Sequence, residues 1–400
     1  MAGPVRITLD DYRVVAPRGA VDFLARLAET VRGRRLVHVT ASRYGGGIAA
    51  TLNRMLPVVN ALGVETTWEI IVGTAEFDAG ARSLALALHG TEQVVTEAML
   101  ERLHATCVDN ASRLPLDGDL VMVHGGAPFL LVDRRPDAGR WVWRGHGDLS
   151  APQAQVWAFL RRFLPRYDAA VLSRRSFAPP LPIPRFLIAP AVDPLDDRNR
   201  DMSRLEQAQR LDRLAVPRDK PYLLQVGEFT RAQDPQGVIN AYRLVKQRHD
   251  VRLVLAGPEP TAGTTVLDEL REAAQADADV VPIVLGGAPD ADLNALERGA
   301  TVVVQKPLRA DYALDVACAM WKGKPVIGSP VGGIPDQIVN QTTGFVVSTV
   351  EGAAFRLRHL LNSPELIGRM GAAAREMVRH RFLITRDLAD HLGLLAHLTK

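Results

Sequence analysis

The sequence predicts an α/β protein of two doubly wound domains, each built on a parallel β-sheet. Three observations support this prediction. At 400 residues the chain is longer than one ordinary core holds. Short apolar runs of strand length alternate with helical periodicity. A proline-rich stretch at 179–194, followed by a polar segment, then divides that alternation into two halves.

Composition narrows the class of protein. The chain is 47% hydrophobic and 23% charged with a net charge of +3, values typical of a globular protein without a dedicated nucleic-acid or membrane surface. Its two cysteines, Cys107 and Cys318, are too few for a disulfide framework. The N-terminus lacks an apolar targeting segment, and no run reaches the roughly 18 apolar residues of a membrane span. We therefore expect a cytoplasmic protein that binds neither nucleic acid nor membrane.

The first domain begins with a buried strand over Arg35–Thr40 that runs into a glycine triplet. Apolar residues then recur at three- and four-residue steps up to Gly63, which predicts a helix on Ile48, Leu52, Met55, Leu56, Val59 and Leu62. Further apolar runs predict strands at 68–72, 120–123, 141–143, 169–172 and 186–189.

The second domain repeats the alternation. Strands are predicted at 222–226, 251–256, 281–285, 301–304 and 325–327, each followed by a helical pattern. Past Phe355 the chain reads as helix to its end, and such a tail can cross back and brace the first domain. The predicted domains are 1–190 and 191–375, with a helical tail at 376–400.

The glycine triplet is a candidate anion site. Gly45, Gly46 and Gly47 stand between a strand and a helix, where bare backbone and the helix dipole favour a negatively charged ligand. The string lacks both the G-x-G-x-x-G dinucleotide pattern and the Lys-Ser/Thr of a P-loop. A phosphate cradle and a tight turn therefore both stay open as interpretations.

Polar residues also follow two strands of the first domain. His124 ends the strand at 120–123, and Arg144, His146 and Asp148 follow the strand at 141–143. Ligands of open α/β sheets bind beyond the carboxyl ends of strands, and the two glycines beside His146 expose backbone to a polar ligand. A solvated or merely hydrogen-bonded histidine is the alternative. No Cys or His spacing resembles a metal-ligand set, so we predict no metal and no cofactor.

Four long segments carry a resemblance to a known family: Gly45–Ala49, Trp143–Ser150, Ala191–Leu195 and Ala319–Gly328. On them the chain, from about Leu36 onward, resembles retaining glycosyltransferases of the GT-B architecture, most closely the trehalose synthases. The resemblance implies two facing Rossmann-like domains with a C-terminal helix crossing back. It implies a nucleotide sugar held chiefly by the second domain and a sugar acceptor held by the first, and it leaves a homodimer open.

The resemblance also implies roles for individual residues. It implies that His146, Asp148 and Arg144 act at the reacting sugar. It also implies that the glycine triplet and His124 help to bind the ligand. Because the departing diphosphate gains negative charge, cations and backbone donors must meet it. The family's own cations are replaced in this chain, so the candidates to meet that charge are other residues of the second domain: Arg231, Lys306 or Arg309. A solvated, charge-rich loop is the alternative.

The second domain departs from the family pattern at four positions. The family's diphosphate-binding Arg and Lys fall on Glu228 and Gln236, and its two sugar-binding carboxylates fall on Ala310 and Cys318. A carboxylate near a diphosphate repels it, and each lost carboxylate removes an acceptor worth about 1.5–3 kcal/mol. The family's glycines between the two carboxylates become Asp311 and Ala313.

Two functions compete on these grounds. The first is hexose transfer, with retention, from a nucleotide sugar to a sugar acceptor. The alternative is a catalytically impaired relative that binds a ligand or partner, or does other chemistry, in the inherited cleft. Whether the chain is an active enzyme therefore depends on the site and not on the fold.

Overall fold

The computed structural model describes residues 7–43, 46–260, 265–287 and 289–400. The chain forms two compact units: unit 1 contains Met1–Pro190 and Thr385–Lys400, and unit 2 contains Ala191–Ile384. Each unit holds a six-stranded sheet in which all neighbouring strands are parallel. The predicted doubly wound α/β class is thus confirmed.

The strands of unit 1 are β1 (Arg35–Thr40), β2 (Glu65–Ile70), β3 (Leu120–His124), β4 (Arg140–Arg144), β5 (Ala169–Leu172) and β6 (Arg185–Leu187). Their order in the sheet is β2-β1-β3-β4-β5-β6. Helix α1 (Ala20–Glu29) precedes β1, and the helices that connect the strands are α2 (Gly46–Ala61), α3 (Ala75–Leu88), α4 (Glu97–Ala111) and α5 (Ala154–Leu160). Every residue of β3 and β5 is buried, which explains why these strands read as unbroken apolar runs.

Aromatic side chains fill the core of unit 1 beside the central strands. Trp143 of β4 meets the ring of Phe129 edge-on with centroids 5.1 Å apart, and Phe129 stacks on Tyr167 at 4.9 Å. The Tyr167 hydroxyl donates to the main-chain oxygen of Phe129 at 2.7 Å, so its buried polar atom is satisfied. This packing holds the carboxyl ends of β3 and β4 in fixed positions.

The strands of unit 2 are β7 (Tyr222–Val226), β8 (Arg252–Pro258), β9 (Val280–Leu285), β10 (Val302–Gln305), β11 (Val326–Gly328) and β12 (Gly344–Val346). The sheet order is β12-β11-β10-β7-β8-β9, the strand order of a doubly wound nucleotide-binding fold. Its helices are α6 (Arg204–Arg213), α7 (Pro235–Lys246), α8 (Val266–Ala276), α9 (Asp290–Gly299), α10 (Asp315–Trp321), α11 (Ile334–Gln337), α12 (Val350–Leu361) and α13 (Pro364–Arg381).

The C-terminal region differs from the continuous helix that the sequence predicts. Two interruptions divide it into α12, α13 and a last helix, α14 (Ile384–Leu398). Pro364 lacks the N–H that would extend α12, so it begins a new helix instead. At the second interruption Val192 bridges to Leu383: its N–H donates to Phe382 O at 2.7 Å, and Ile384 N–H donates to Val192 O at 2.9 Å. These bonds draw the backbone out of helical geometry.

No helix in the described part of the chain is both long and apolar enough to cross a membrane.

Candidate functional site

The sheet of unit 1 reverses its winding between β1 and β3, and polar residues lie there. β1 has β2 on one side and β3 on the other. In doubly wound sheets ligands bind at the carboxyl ends of the strands beside such a switch point. His38 lies on β1, His124 ends β3, and Arg144 ends the neighbouring β4.

Three histidines of unit 1 form a continuous row of contacts, here called the histidine chain: His38, His124 and His146. Nδ1 of His38 lies 2.9 Å from Nε2 of His124, and Nδ1 of His124 lies 2.9 Å from Nε2 of His146. His38 and His124 are 0% and 5% exposed, whereas His146 is half-buried. The structure thus brings together two of the predicted site residues and adds a third, His38, that was not predicted.

Burial keeps the rings of the histidine chain neutral. It lowers the pKa of His38 to about 3 and lowers the pKa of His124 and His146 well below the usual value. The guanidinium of Arg144 adds to the lowering for both His124 and His146. A neutral imidazole has one hydrogen-bond donor and one acceptor, so each ring can pass a hydrogen bond along the chain.

Arg144 is a buried positive charge behind the histidine chain. It is 6% exposed, and its Nη2 donates to the main-chain oxygen of Ile188 at 2.8 Å. Burial lowers its pKa to about 10, while the carboxylate of Asp387 on α14 acts in the opposite direction. Arg144 therefore stays charged at neutral pH and acts on the neighbouring histidines through its positive charge.

Two glycines shape the loop that follows β4. A Cβ atom on Gly145 would lie 2.9 Å from Cδ2 of Leu172, and Gly147 has φ +72°, in the left-handed region that favours glycine. The backbone conformation of the loop therefore favours glycine at Gly147, whereas a side chain at Gly145 would require the buried Leu172 side chain to shift. The main-chain oxygen of His146 accepts from Nε2 of His89 at 3.0 Å, and Asp148 Oδ1 accepts from Ser150 N–H at 2.9 Å.

The structure describes only part of the glycine triplet. Gly45 lies outside the described residues, and Gly46 begins the 16-residue helix α2. A Cβ atom on Gly47 would meet no atom of any described residue within 4 Å. The phosphate cradle stays a prediction.

Two of the cations predicted to meet a diphosphate are paired with carboxylates inside unit 2. Arg231 pairs with Glu269 of α8, with Nη1 2.7 Å from Oε2, and Lys306 Nζ lies 2.7 Å from Oδ2 of Asp234. Asp234 also caps α7 and accepts from Gly237 N–H at 3.1 Å. The third cation, Arg309, is exposed. A diphosphate would have to compete with these internal carboxylates.

The space beside the carboxyl end of β7 is filled by the protein itself. Gln225 Nε2 donates to the main-chain oxygen of Gln233 at 2.7 Å. The Gln233 side chain then covers Gly227, where an added Cβ atom would lie 3.0 Å from Oε1 of Gln233. The remaining cavity is about 10 Å³, too small for more than a water molecule. Glu228 and Gln236, which stand at the family's Arg and Lys positions, are both exposed.

The positions of the family's carboxylates are apolar in unit 2. Cys318 is buried on α10, and burial raises the pKa of its thiol to about 11, so it carries no charge at neutral pH. Ala313 has φ +56°, the left-handed conformation that favours glycine. The resemblance expects glycine at this position, so the loop keeps the backbone conformation although the residue has changed.

Replacing Ala313 with glycine should stabilise the protein by about 1 kcal/mol, because the left-handed conformation costs an L-residue roughly 1–2 kcal/mol and glycine loses part of that gain to entropy. Urea denaturation measures the difference. The matched control is Ala372→Gly at an exposed position in the interior of α13, where the same change should destabilise by about 1 kcal/mol. Destabilisation by both substitutions would contradict the expectation.

Among the described residues, no group of three or more His, Cys, Asp and Glu side chains is arranged to hold a metal ion.

Comparison with known proteins identifies the class. The family model described as "Trehalose synthase, N-terminal domain" matches residues 38–179, and "Glycosyl transferases group 1" matches residues 207–377. Among solved structures, a sucrose-phosphate synthase from Thermosynechococcus elongatus superposes with TM-score 0.67 at 16% identity, covering 91% of this chain and 98% of that one. Anabaena Alr3699/HepE in complex with UDP gives TM-score 0.70 at 14% identity, with coverage of 91% and 100%. The fold is that of the GT-B glycosyltransferases.

Full-length relatives give the family. A trehalose synthase of Pyrococcus horikoshii is 34% identical over 398 residues, covering 97% of this chain and 95% of the relative. A trehalose synthase of Rubrobacter xylanophilus is 34% identical over 408 residues, with coverage of 99% and 98%. The chain belongs to the trehalose synthase family of glycosyltransferases.

Proposed function

We propose that this protein transfers a hexose from a nucleoside-diphosphate sugar to a sugar acceptor with retention of the anomeric configuration. The observation that carries the proposal is the similarity to a trehalose synthase over 97% of the chain. One fold neighbour, Anabaena Alr3699/HepE, has been solved in complex with UDP, with UDP and glucose, and with UDP-glucose, which supports a nucleotide sugar as donor.

Residues at the carboxyl edge of the unit 1 sheet suit such chemistry. Transfer makes the anomeric carbon oxocarbenium-like while negative charge grows on the leaving diphosphate. In this proposal the half-buried ring of His146 contacts the sugar and Arg144 supplies a fixed positive charge nearby. Asp148 is proposed to complete this group from the same loop.

The proposal requires an exchange of partners in unit 2. Lys306 and the N-terminus of α7 already hold the carboxylate of Asp234, with Nζ to Oδ2 at 2.7 Å. Binding of a diphosphate there requires the Gln233 side chain to move out of the space beside β7, and phosphate oxygens then replace this carboxylate on Lys306. A diphosphate carries more charge than one carboxylate and so attracts Lys306 more strongly. The displaced carboxylate of Asp234 stays close by and repels the diphosphate, so binding is weaker than at an unpaired lysine.

Calorimetry with the full chain tests the proposal. Uridine, adenosine and guanosine diphosphate glucose are titrated in turn, and at least one should bind with micromolar affinity or better. His146→Ala should weaken that binding about tenfold, the effect of one lost hydrogen bond. Incubation of the binding donor with free glucose should then yield a disaccharide, and the NMR coupling between C1 and H1 reports its anomeric configuration.

The matched control is His380→Ala, a histidine exposed on α13 whose Nε2 contacts Glu376 at 2.8 Å. This variant should bind and react like the unmodified chain. No detectable binding of any of the three sugar nucleotides, together with no disaccharide, would refute the proposal. That result would favour the alternative, a catalytically impaired relative of these glycosyltransferases. If a sugar nucleotide binds but no disaccharide forms, only the transfer reaction is rejected.

A further inference from the structure

The histidine chain restricts where its protons can lie. Each neutral ring carries one N–H and one lone pair, and both internal contacts join an Nδ1 to an Nε2 at 2.9 Å. If His124 donates through one nitrogen, it must accept through the other. The two hydrogen bonds therefore run in one direction, and all three rings carry their proton on the same kind of nitrogen, either Nδ1 or Nε2.

The charge of Arg144 selects between these two arrangements. Arg144 lies opposite His124 in the register of β3 and β4 and two positions before His146. His38 lies on β1, at the other side of β3. The guanidinium accordingly contributes to the lowered pKa of His146 and of His124 but not to that of His38, so it acts mainly on the His146 end. Aligned hydrogen bonds add their dipoles, and a positive charge beside one end favours lone pairs there. This favours a lone pair on Nδ1 of His146 and protons on Nε2.

The two ends of the histidine chain have different surroundings. Nε2 of His38 is buried and makes no hydrogen bond to any described residue. This nitrogen lacks a partner whether it carries the proton or the lone pair, so this end does not reverse the preference set by Arg144. His146 is half-buried, and its Nδ1 makes no hydrogen bond within the described ranges, so this end can serve a ligand.

We propose that His38 and His124 are positioning residues that fix the tautomer of His146, with the proton on Nε2 of all three rings. His146 then offers Nδ1 as a hydrogen-bond acceptor. The group it recognises must be a donor, such as a sugar hydroxyl, and not a phosphate oxygen. The choice of ligand group rests on the proposed function, whereas the tautomer does not.

NMR of the unmodified chain labelled with ¹⁵N-histidine tests the tautomer without any substrate. Long-range ¹H–¹⁵N correlations at pH 8, above the usual pKa of histidine, separate protonated from unprotonated ring nitrogens. The three rings should each show a protonated Nε2 and a bare Nδ1. A proton on Nδ1 of any of them, a mixture of tautomers, or a charged ring would overturn the proposal.

Two substitutions at His38 test the positioning role. His38→Leu keeps approximate size but removes the acceptor for His124, so His146 should show both tautomers. His38→Asn places an amide oxygen near the former Nδ1, where it can accept from His124, and should restore the single Nε2–H form. A single Nε2–H tautomer in the leucine variant would refute the role of His38. The asparagine variant and the unmodified chain keep the test decisive even if the leucine variant does not fold.

The outcome is distinguishable from failure of the proposed function. If no sugar nucleotide binds but the three rings share the Nε2–H form, only the glycosyl transfer is rejected. If transfer occurs while His146 carries its proton on Nδ1, only the inferred tautomer and the choice of a hydroxyl are rejected.

Discussion

Glu297→Ala is expected to lower the free energy of unfolding by about 3–5 kcal/mol, because it leaves two buried cations without their shared carboxylate. Glu297 of α9 is 0% exposed. Its Oε1 lies 2.7 Å from Nη2 of Arg198, and its Oε2 lies 2.7 Å from Nζ of Lys322. Arg198 keeps Asp315 at 3.0 Å, and Lys322 keeps Asn199 Oδ1 at 2.8 Å, but neither contact replaces a buried carboxylate.

Urea denaturation of the full chain measures the loss. Trp321 reports on this region, since its Nε1 donates to the main-chain oxygen of Asn199 at 3.1 Å. Of the five tryptophans it alone belongs to unit 2, so a fluorotryptophan label gives it a separate ¹⁹F signal. The transition of that signal should move to lower urea in the Glu297→Ala variant.

Two variants separate unpaired charge from lost packing. Asp268→Ala removes one partner of the exposed Asp268–Arg271 pair and should change stability by less than about 0.5 kcal/mol. Exchanging Arg198, Glu297 and Lys322 together for Met, Leu and Met should cost less than Glu297→Ala alone, since no buried cation is then left unpaired and only the half-exposed Asp315 loses its partner. A loss below about 1 kcal/mol for Glu297→Ala would contradict the expectation.

Strand positions follow from sequence wherever a strand is buried on both faces. β5 and β7 begin and end at the predicted residues, because every residue of each is buried and the apolar run marks the whole strand. β2 is different: it pairs only with β1, in a register that begins with Arg35 opposite Glu65. The prediction at 68–72 followed hydrophobicity, whereas the hydrogen-bonded ladder fixes the strand at Glu65–Ile70.

The candidate site could be anticipated only in part. His124 and His146 follow strand ends, a position that sequence patterns identify. His38 lies inside a buried run on β1, so it meets His124 only through the pairing of β1 with β3, which places His38 opposite Met122. One polar residue in an otherwise apolar strand was the available signal.

The pairing of the cations in unit 2 could not be predicted. Glu269 is 38 positions from Arg231, and Asp234 is 72 positions from Lys306. Their meeting depends on how α7 and α8 pack around β7, β8 and β10. The sequence shows that the family's Arg and Lys are absent, but only the structure shows that the remaining cations already have carboxylate partners.

Acidification from pH 7 to pH 5 is expected to lower the free energy of unfolding by about 2 kcal/mol through His38, with a further loss in the same direction through His124. Burial lowers the native pKa of His38 to about 3 and that of His124 well below its usual value. Both rings stay neutral in the native state but take up protons in the unfolded chain below about pH 6.5. The unfolded state therefore gains stability as pH falls, and for His38 the loss continues until the pH reaches about 3. His38 contributes about 2 kcal/mol over this interval.

Urea denaturation at pH 7, 6 and 5 measures this dependence above the range in which carboxylates of the unfolded chain, with pKa near 4, take up protons. His38→Asn removes one titrating group, so its loss between pH 7 and 5 should be smaller by about 2 kcal/mol. His380→Ala, at an exposed position on α13, should leave the pH dependence unchanged. A loss below about 1 kcal/mol in the unmodified chain, or equal slopes for it and His38→Asn, would mean that these rings accept protons in the native state. That result would also contradict the neutral rings and the one-directional hydrogen bonds inferred for the histidine chain.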